Sequence, residues 1–176
     1  MRYILTVVTC ILVSVLALPS VNYAQSESQE PSKVYYGGEL GMGFGDVFRI
    51  RIVPFIGYRI SPQLSAGARI GYEYMNWKDF DQSTHNYGGG VFGRYRFVPQ
   101  IYGHGEVGFF NYDSPTISGE SNRTNVPFIL LGGGYIQQIS PNASAFIQVL
   151  FDVLQSDKSP YNNWEPFVSI GVGVGF

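Results

Sequence analysis

The sequence predicts an all-β chain: an eight-stranded antiparallel up-and-down transmembrane β-barrel. Three observations lead there. Apolar and polar residues alternate through successive segments of ten to fourteen residues divided by turn formers, and no amphipathic helical stretch follows Lys33. Charged residues make up only 14% of the 176-residue chain, aromatics reach 16% and glycine numbers 22. Mean hydropathy is near zero, too polar for a bundle of membrane helices. It suits a barrel in which lipid-facing and lumen-facing residues alternate.

The elements follow in chain order. Arg2 precedes an apolar run from Ile4 to Leu18, then Pro19, Ser20 and Ala24. Residues 1–24 read as a secretory signal peptide cut after Ala24, the alternative being an anchor helix. Cys10, the only cysteine, lies within this segment and too early for a lipoprotein site, so no cysteine and no disulfide are expected after cleavage. Residues 25–32 (QSESQEPS) form a short disordered lead, and 33–176 form the barrel domain. Strands are expected at about 34–44, 47–60, 64–76, 87–98, 100–112, 126–139, 143–155 and 164–176. Three short turns carry proline: Ile60 to Leu64, Val98 to Ile101 and Ile139 to Ala143. The stretches 77–86, 113–125 and 156–163 are longer and polar, while the connection near Gly45-Asp46 is tight. Short turns and both termini then share the periplasmic side, and the longer loops face outward.

Parity carries most of the argument. Val168, Ile170, Val172, Val174 and Phe176 share one face of the last strand, and Phe48, Ile50, Ile52, Ile56 and Tyr58 share one face of the second. Glu39, Arg49, Arg51, Arg59, Arg69, Glu73, Arg94, Arg96, Glu106, Asp152 and Glu165 all have the opposite parity. A soluble sheet turns Lys, Glu and Thr to water. Here the polar face holds Arg and carboxylates in near-equal number, with no Lys within the strands beyond Lys33 at the edge. Buried charges must pair, and the planar guanidinium matches carboxylates. That face is therefore expected to be a barrel interior filled by an Arg–carboxylate network. Gly37, Gly41, Gly43, Gly171, Gly173 and Gly175 share the inward parity and leave room for it.

Aromatics near strand ends suggest two interfacial girdles. Tyr58, Phe97, Tyr102 and Phe176 are on the turn side; Tyr74, Trp77, Phe80, Tyr87, Tyr112, Tyr161 and Trp164 are on the loop side. Two features fit less well. Pro54 interrupts the second strand and suggests a bulge, and the sixth strand, with Phe128 to Leu131 followed by three glycines, has no clear parity.

Together, the leader, the alternating strands, the proline turns and the terminal Gly171-Val172-Gly173-Val174-Gly175-Phe176 resemble the small OmpA/OmpX-like outer-membrane β-barrels, over about residues 33–176. The resemblance implies a bacterial outer-membrane location, and recognition of Val172, Val174 and Phe176 by the barrel-assembly machinery. It also implies contact with outer-membrane lipid and lipopolysaccharide. No peptidoglycan-binding domain is expected after Phe176.

No catalytic, cofactor-binding or metal motif stands out. Some barrels of this architecture modify lipid A, and Asp81, Ser83, Thr84 and His85 would be the candidates. However, the His-x-Ser-Asn motif of lipid A deacylases is absent, since Asn86, Tyr87 and Gly88 follow His85. His104 and Glu106, two apart on a strand, read as interior hydrogen-bond partners before a metal site. A net charge of −2 gives no support to nucleic-acid binding. The expectation is a monomeric, non-enzymatic, plugged barrel with a structural or surface-interaction role, in which loop aromatics such as Trp77, Phe80, Tyr161 and Trp164 could contact a partner. The alternatives are a small-molecule channel and a lipid A-modifying enzyme.

Overall fold

The computed structural model describes residues 32–43, 47–77, 82–114 and 122–175. The expected signal peptide, most of the lead segment, the Gly45-Asp46 turn, Phe80, Asp81 and Phe176 lie outside the described residues. Eight strands form: β1 (Val34–Gly43), β2 (Val47–Arg59), β3 (Leu64–Trp77), β4 (Gln82–Val98), β5 (Ile101–Ser114), β6 (Asn122–Ser140), β7 (Ala143–Asp152) and β8 (Pro166–Val174). Each pairs antiparallel with the next and β8 pairs with β1, so the sheet closes into a barrel without a free edge.

Local chemistry sets the short turns. Ser61 Oγ accepts hydrogen bonds from the Gln63 and Leu64 amides, and Ser140 Oγ accepts one from Ala143. Register shifts occur beside two such turns, between Arg96 and Val98 and between Gln138 and Ser140. Pro54 causes none: Ile52↔Tyr72 and Phe55↔Arg69 keep one register on either side of it. Its side chain points outward and its missing N–H interrupts the ladder without adding a residue.

Strand bounds differ from expectation at the loop end. β4 starts at Gln82, β5 runs to Ser114 and β6 starts at Asn122, so these strands continue through stretches expected to be loops. Polar side chains there alternate as strictly as the apolar ones below them, and strand pairing needs only the backbone. β7, by contrast, stops at Asp152. The Asp152 carboxylate accepts hydrogen bonds from the Ile129 and Leu154 amides and turns the chain out of the sheet.

The wall is apolar outside. Leu40, Ile52, Ile56, Ile70, Val91, Val107, Phe109, Leu131, Val168, Ile170 and Val172 are all exposed. The sixth strand does have a parity: Val126, Phe128, Leu130 and Ile136 are buried, and Leu131 is exposed.

The interior is more aromatic than the charge pattern suggests. One cluster, toward the short turns, joins Tyr35, Phe55, Phe92, Tyr102, Ile136 and Phe146. Another, toward the loops, joins Met75, Phe110, Tyr112, Val126, Phe128, Leu130 and Leu150, with Val47, Tyr161 and Phe167 packed against it. Tyr102, Tyr112 and Tyr161 therefore belong to the interior and not to the girdles. For Tyr102 and Tyr112 strand parity decides this, since both share it with Glu106. Tyr58, Tyr87, Phe97 and Trp164 are exposed on the outside.

Glycines make room for the inward rings. Tyr35 lies over Gly57, Phe55 over Gly37, Phe92 over Gly67, Tyr102 over Gly134 and Phe146 over Gly171, each pair directly opposed across neighbouring strands. An eight-stranded barrel is too narrow for large side chains at every inward position. A ring on one strand is accommodated because its partner carries none.

Candidate functional site

The interior charges are the most organised polar feature of the molecule. Five side chains near mid-height close a hydrogen-bonded ring. Arg94 Nη2 donates to Glu39 Oε1 at 3.0 Å and Arg69 Nη1 to Glu39 Oε2 at 3.3 Å. Arg69 Nε reaches Glu106 Oε1 at 3.0 Å. Arg94 Nε donates to His104 Nδ1 at 3.1 Å, and His104 Nε2 meets Glu106 Oε2 at 3.2 Å. Because Arg94 can only donate, His104 Nδ1 accepts, which places the ring proton on Nε2, directed at Glu106. Gln148 and Ser169 also donate to Glu39, at 2.8 and 3.4 Å, so that one carboxylate ties β1 to β3, β4, β7 and β8.

The ring is buried: the Glu39 side chain is 2% exposed and those of Arg69 and Arg94 are 4%. Two carboxylates face two guanidiniums and a neutral imidazole, so it carries no net charge. The Arg94 guanidinium also lies over the Phe55 and Phe92 rings, 4.9 and 4.8 Å from their centroids. His104 stacks on Phe92.

A second group lies toward the loops. Arg51 bonds Glu73 and the Tyr161 hydroxyl, Tyr161 donates to Glu73, and Arg49 bonds Glu165 at 2.6 Å. Tyr161 comes from the connection between β7 and β8, which folds back over the barrel mouth. Gln155 and Trp164 in that connection have φ of 46° and 61°, uncommon values for residues with a Cβ. Side-chain bonds hold the bend: Ser159 Oγ accepts from the Tyr161 amide and Glu165 Oε2 from the Asn162 amide. Burial pushes the Tyr161 hydroxyl well above its ordinary pKa, so it keeps its proton and donates to Glu73.

All the residues read as interior charges are buried or half-buried, but they do not form one network. Glu39, Arg69, Arg94 and Glu106 meet in the ring, and Arg49, Arg51, Glu73 and Glu165 meet above it. Asp152 bonds backbone amides. Arg59 donates to the carbonyls of Ser32 and Gly175, where it ties the two ends of the barrel domain together. Arg96 lines a cavity of about 20 Å³ at the turn end with Tyr35 and Tyr102. Val172 and Val174 face outward on β8. Gln148 and Ser169 share the polar parity, so the sequence held a signal for both. Tyr161 had none, because it enters from an irregular connection.

Of the residues considered for catalysis, the described ones do not converge. Thr84 is buried inside, whereas Ser83 and His85 are exposed on the opposite face of β4. His85 Nδ1 is bonded to the Tyr72 hydroxyl at 2.5 Å. Among the described residues no group of three or more His, Cys, Asp or Glu is placed to hold a metal ion.

The tall strands carry a separate polar patch on the outer wall. Arg123 donates to Asn111 at 2.9 Å, pairs with Asp113 at 3.5 Å and lies over the Tyr87 ring at 5.1 Å. Asn111 in turn donates to Asn125 at 2.9 Å.

No family model matches the sequence, and no curated protein matches it. Among solved structures the fold is similar to the N-terminal β-barrel domain of Pseudomonas aeruginosa OprF. The TM-score is 0.52 at 16% identity, over 81% of this chain and 96% of that chain. It also matches a de novo designed transmembrane β-barrel with a TM-score of 0.42 at 18% identity, over 84% of this chain and 98% of that chain.

Proposed function

We propose that this protein is a monomeric, non-enzymatic barrel of the bacterial outer membrane, exported by its N-terminal leader. In this reading its lumen is plugged and its role is structural or one of surface interaction. The observation that carries the proposal is the inverted polarity of the wall. Exposed apolar side chains ring the outside, while Glu39, Arg69, Arg94 and Glu106 are buried within. A water-soluble monomer does not expose a belt of that extent, and hydrocarbon is the solvent that favours it. The likeness to the OprF barrel domain supports the same reading at the level of the fold.

Plugging is supported by what crosses the lumen. The charged ring runs from β5 to β1 and continues through Gln148 and Ser169 to β7 and β8. An aromatic cluster lies on either side of it. The polar patch around Arg123, with Tyr72, Tyr74 and Tyr87 on the neighbouring strands, suits contact with the sugars and phosphates of lipopolysaccharide. The barrel-assembly machinery would read Val172, Val174 and Phe176 during insertion.

Planar-bilayer recording tests the plug. The purified barrel is expected to give no sustained unitary current. Steady single-channel openings would replace this reading with the small-molecule channel. Mass analysis of lipid A from expressing cells should show no acyl chain gained or lost, and a change in acylation would establish an enzyme.

A further inference from the structure

The outer wall changes character abruptly at the loop end of β3–β6. Outward side chains on neighbouring strands lie in rows fixed by the pairing. Ile70, Gly89, Phe109 and Pro127 make one row, in which Ile70 is 68% and Phe109 60% exposed. The next row toward the loops is Tyr72, Tyr87, Asn111 and Asn125, and beyond it stand the opposed pairs Tyr74 with His85 and Asp113 with Arg123. Followed the other way, onto β2 and β1, the same two rows are apolar: Ile52 and Leu40, then Ile50 and Met42. The polar rows are thus a bounded patch, with apolar wall on its turn side and on its β2 side.

The hydrogen bonds within the patch have a direction. A guanidinium can only donate, so the Arg123 bond at 2.9 Å fixes the Asn111 oxygen as acceptor. Asn111 Nδ2 then donates to Asn125 Oδ1 at 2.9 Å. Asn125 Nδ2 ends the chain as a donor with no acceptor among the described residues, and the Tyr87 hydroxyl has no bond among them either. Both residues are exposed. The patch holds one guanidinium and one carboxylate, Arg123 and Asp113, 3.5 Å apart. A phosphate drawn to Arg123 would lie beside Asp113, and like charges so close repel. An uncharged sugar meets no such opposition. Its hydroxyls can accept from Asn125 and Tyr87, and its apolar ring face can pack on tyrosine.

We propose that this patch binds a glycolipid of the outer leaflet through an uncharged sugar. The sugar packs against Tyr72 and Tyr87 and accepts from Asn125 Nδ2, while the acyl chains run along Ile70 and Phe109. A membrane lipid is the source because the apolar row adjoins the patch directly. The site rests on the barrel lying in an outer membrane, and it narrows the lipopolysaccharide contact to the sugars. It does not depend on the lumen being plugged.

The test places the nitrogen-labelled barrel in phosphatidylcholine nanodiscs with rising mole fractions of glucosyl diacylglycerol, phosphatidic acid or diacylglycerol. The side-chain amide resonances of Asn111 and Asn125 are followed. Glucosyl diacylglycerol should shift them to saturation, with a half-saturation point about tenfold or more below that of either other lipid. Asn125→Leu, read at Asn111, and Tyr87→Leu should each weaken binding of the sugar lipid about fivefold. Either variant alone suffices if the other does not assemble. Tyr58→Leu, at an exposed tyrosine of the turn end, should leave binding unchanged. A linear response, an equal response to phosphatidic acid or diacylglycerol, or undiminished binding in the patch variants would overturn the site while the barrel stays inserted. A chain that does not enter nanodiscs at all would instead overturn the membrane reading.

Discussion

Glu39 shows how much a single side chain can hold in a narrow interior. It accepts hydrogen bonds from Arg69, Arg94, Gln148 and Ser169, and losing its charge leaves two buried guanidiniums with less compensation. Glu39→Gln is expected to cost about 3–5 kcal/mol, read as a lower urea midpoint for unfolding from lipid vesicles. Glu165→Gln removes a shorter pair, with Arg49, but that carboxylate side chain is 28% exposed. Its cost should stay within about 1 kcal/mol. Equal losses for the two variants would mean that the ring is as well hydrated as the mouth.

At the scale of the strand, the unit of packing is an inward ring set against a glycine on the neighbouring strand. Gly37 and Gly41 share β1 and the inward face, yet differ in what surrounds them. A Cβ at Gly37 would strike the Phe55 ring and the Val172 carbonyl, whereas at Gly41 it would lie 3.6 Å from Arg51 Cβ, an ordinary contact. Gly37→Val should therefore destabilise the barrel by about 1–3 kcal/mol or more, and Gly41→Val by much less. The comparison is made by the denaturant midpoint of each variant in the same vesicles. The short β7 and β8 and the long β4–β6 also set the mouth at different heights around the barrel. The β7–β8 connection folds in over the low side, and the polar patch stands on the high side.

For the molecule as a whole, the test of the wall is its solvent. Val107 lies on the outer face of β5, 58% exposed. In hydrocarbon an arginine there should cost about 2–4 kcal/mol near mid-membrane; on a water-facing surface the change would be nearly neutral. Unfolding of Val107→Arg from vesicles distinguishes the two. The intact barrel should also show β-type circular dichroism and a gel mobility that changes on heating. A monomer soluble without detergent, or a neutral Val107→Arg, would remove the membrane from this account.

The sequence by itself determined the strand number, the inward face of most strands and which charges lie inside. Each of these follows from a period of two, which a single chain displays without reference to its neighbours. Glu39, Arg69, Arg94 and Glu106 were legible in this way, and so were Gln148 and Ser169 on the same face. Which of them touch was decided only by the tertiary structure, because partners across the lumen depend on register and strand tilt, properties of the closed sheet. For that reason Asp152, with the same parity, ends as a backbone cap, and Arg59 as a tie between the two ends of the barrel domain. Tyr102 and Tyr112, read from their place along the strand as girdle residues, lie inside by parity. Tyr161 lies inside for a reason no pattern carries, since an irregular connection brings it there.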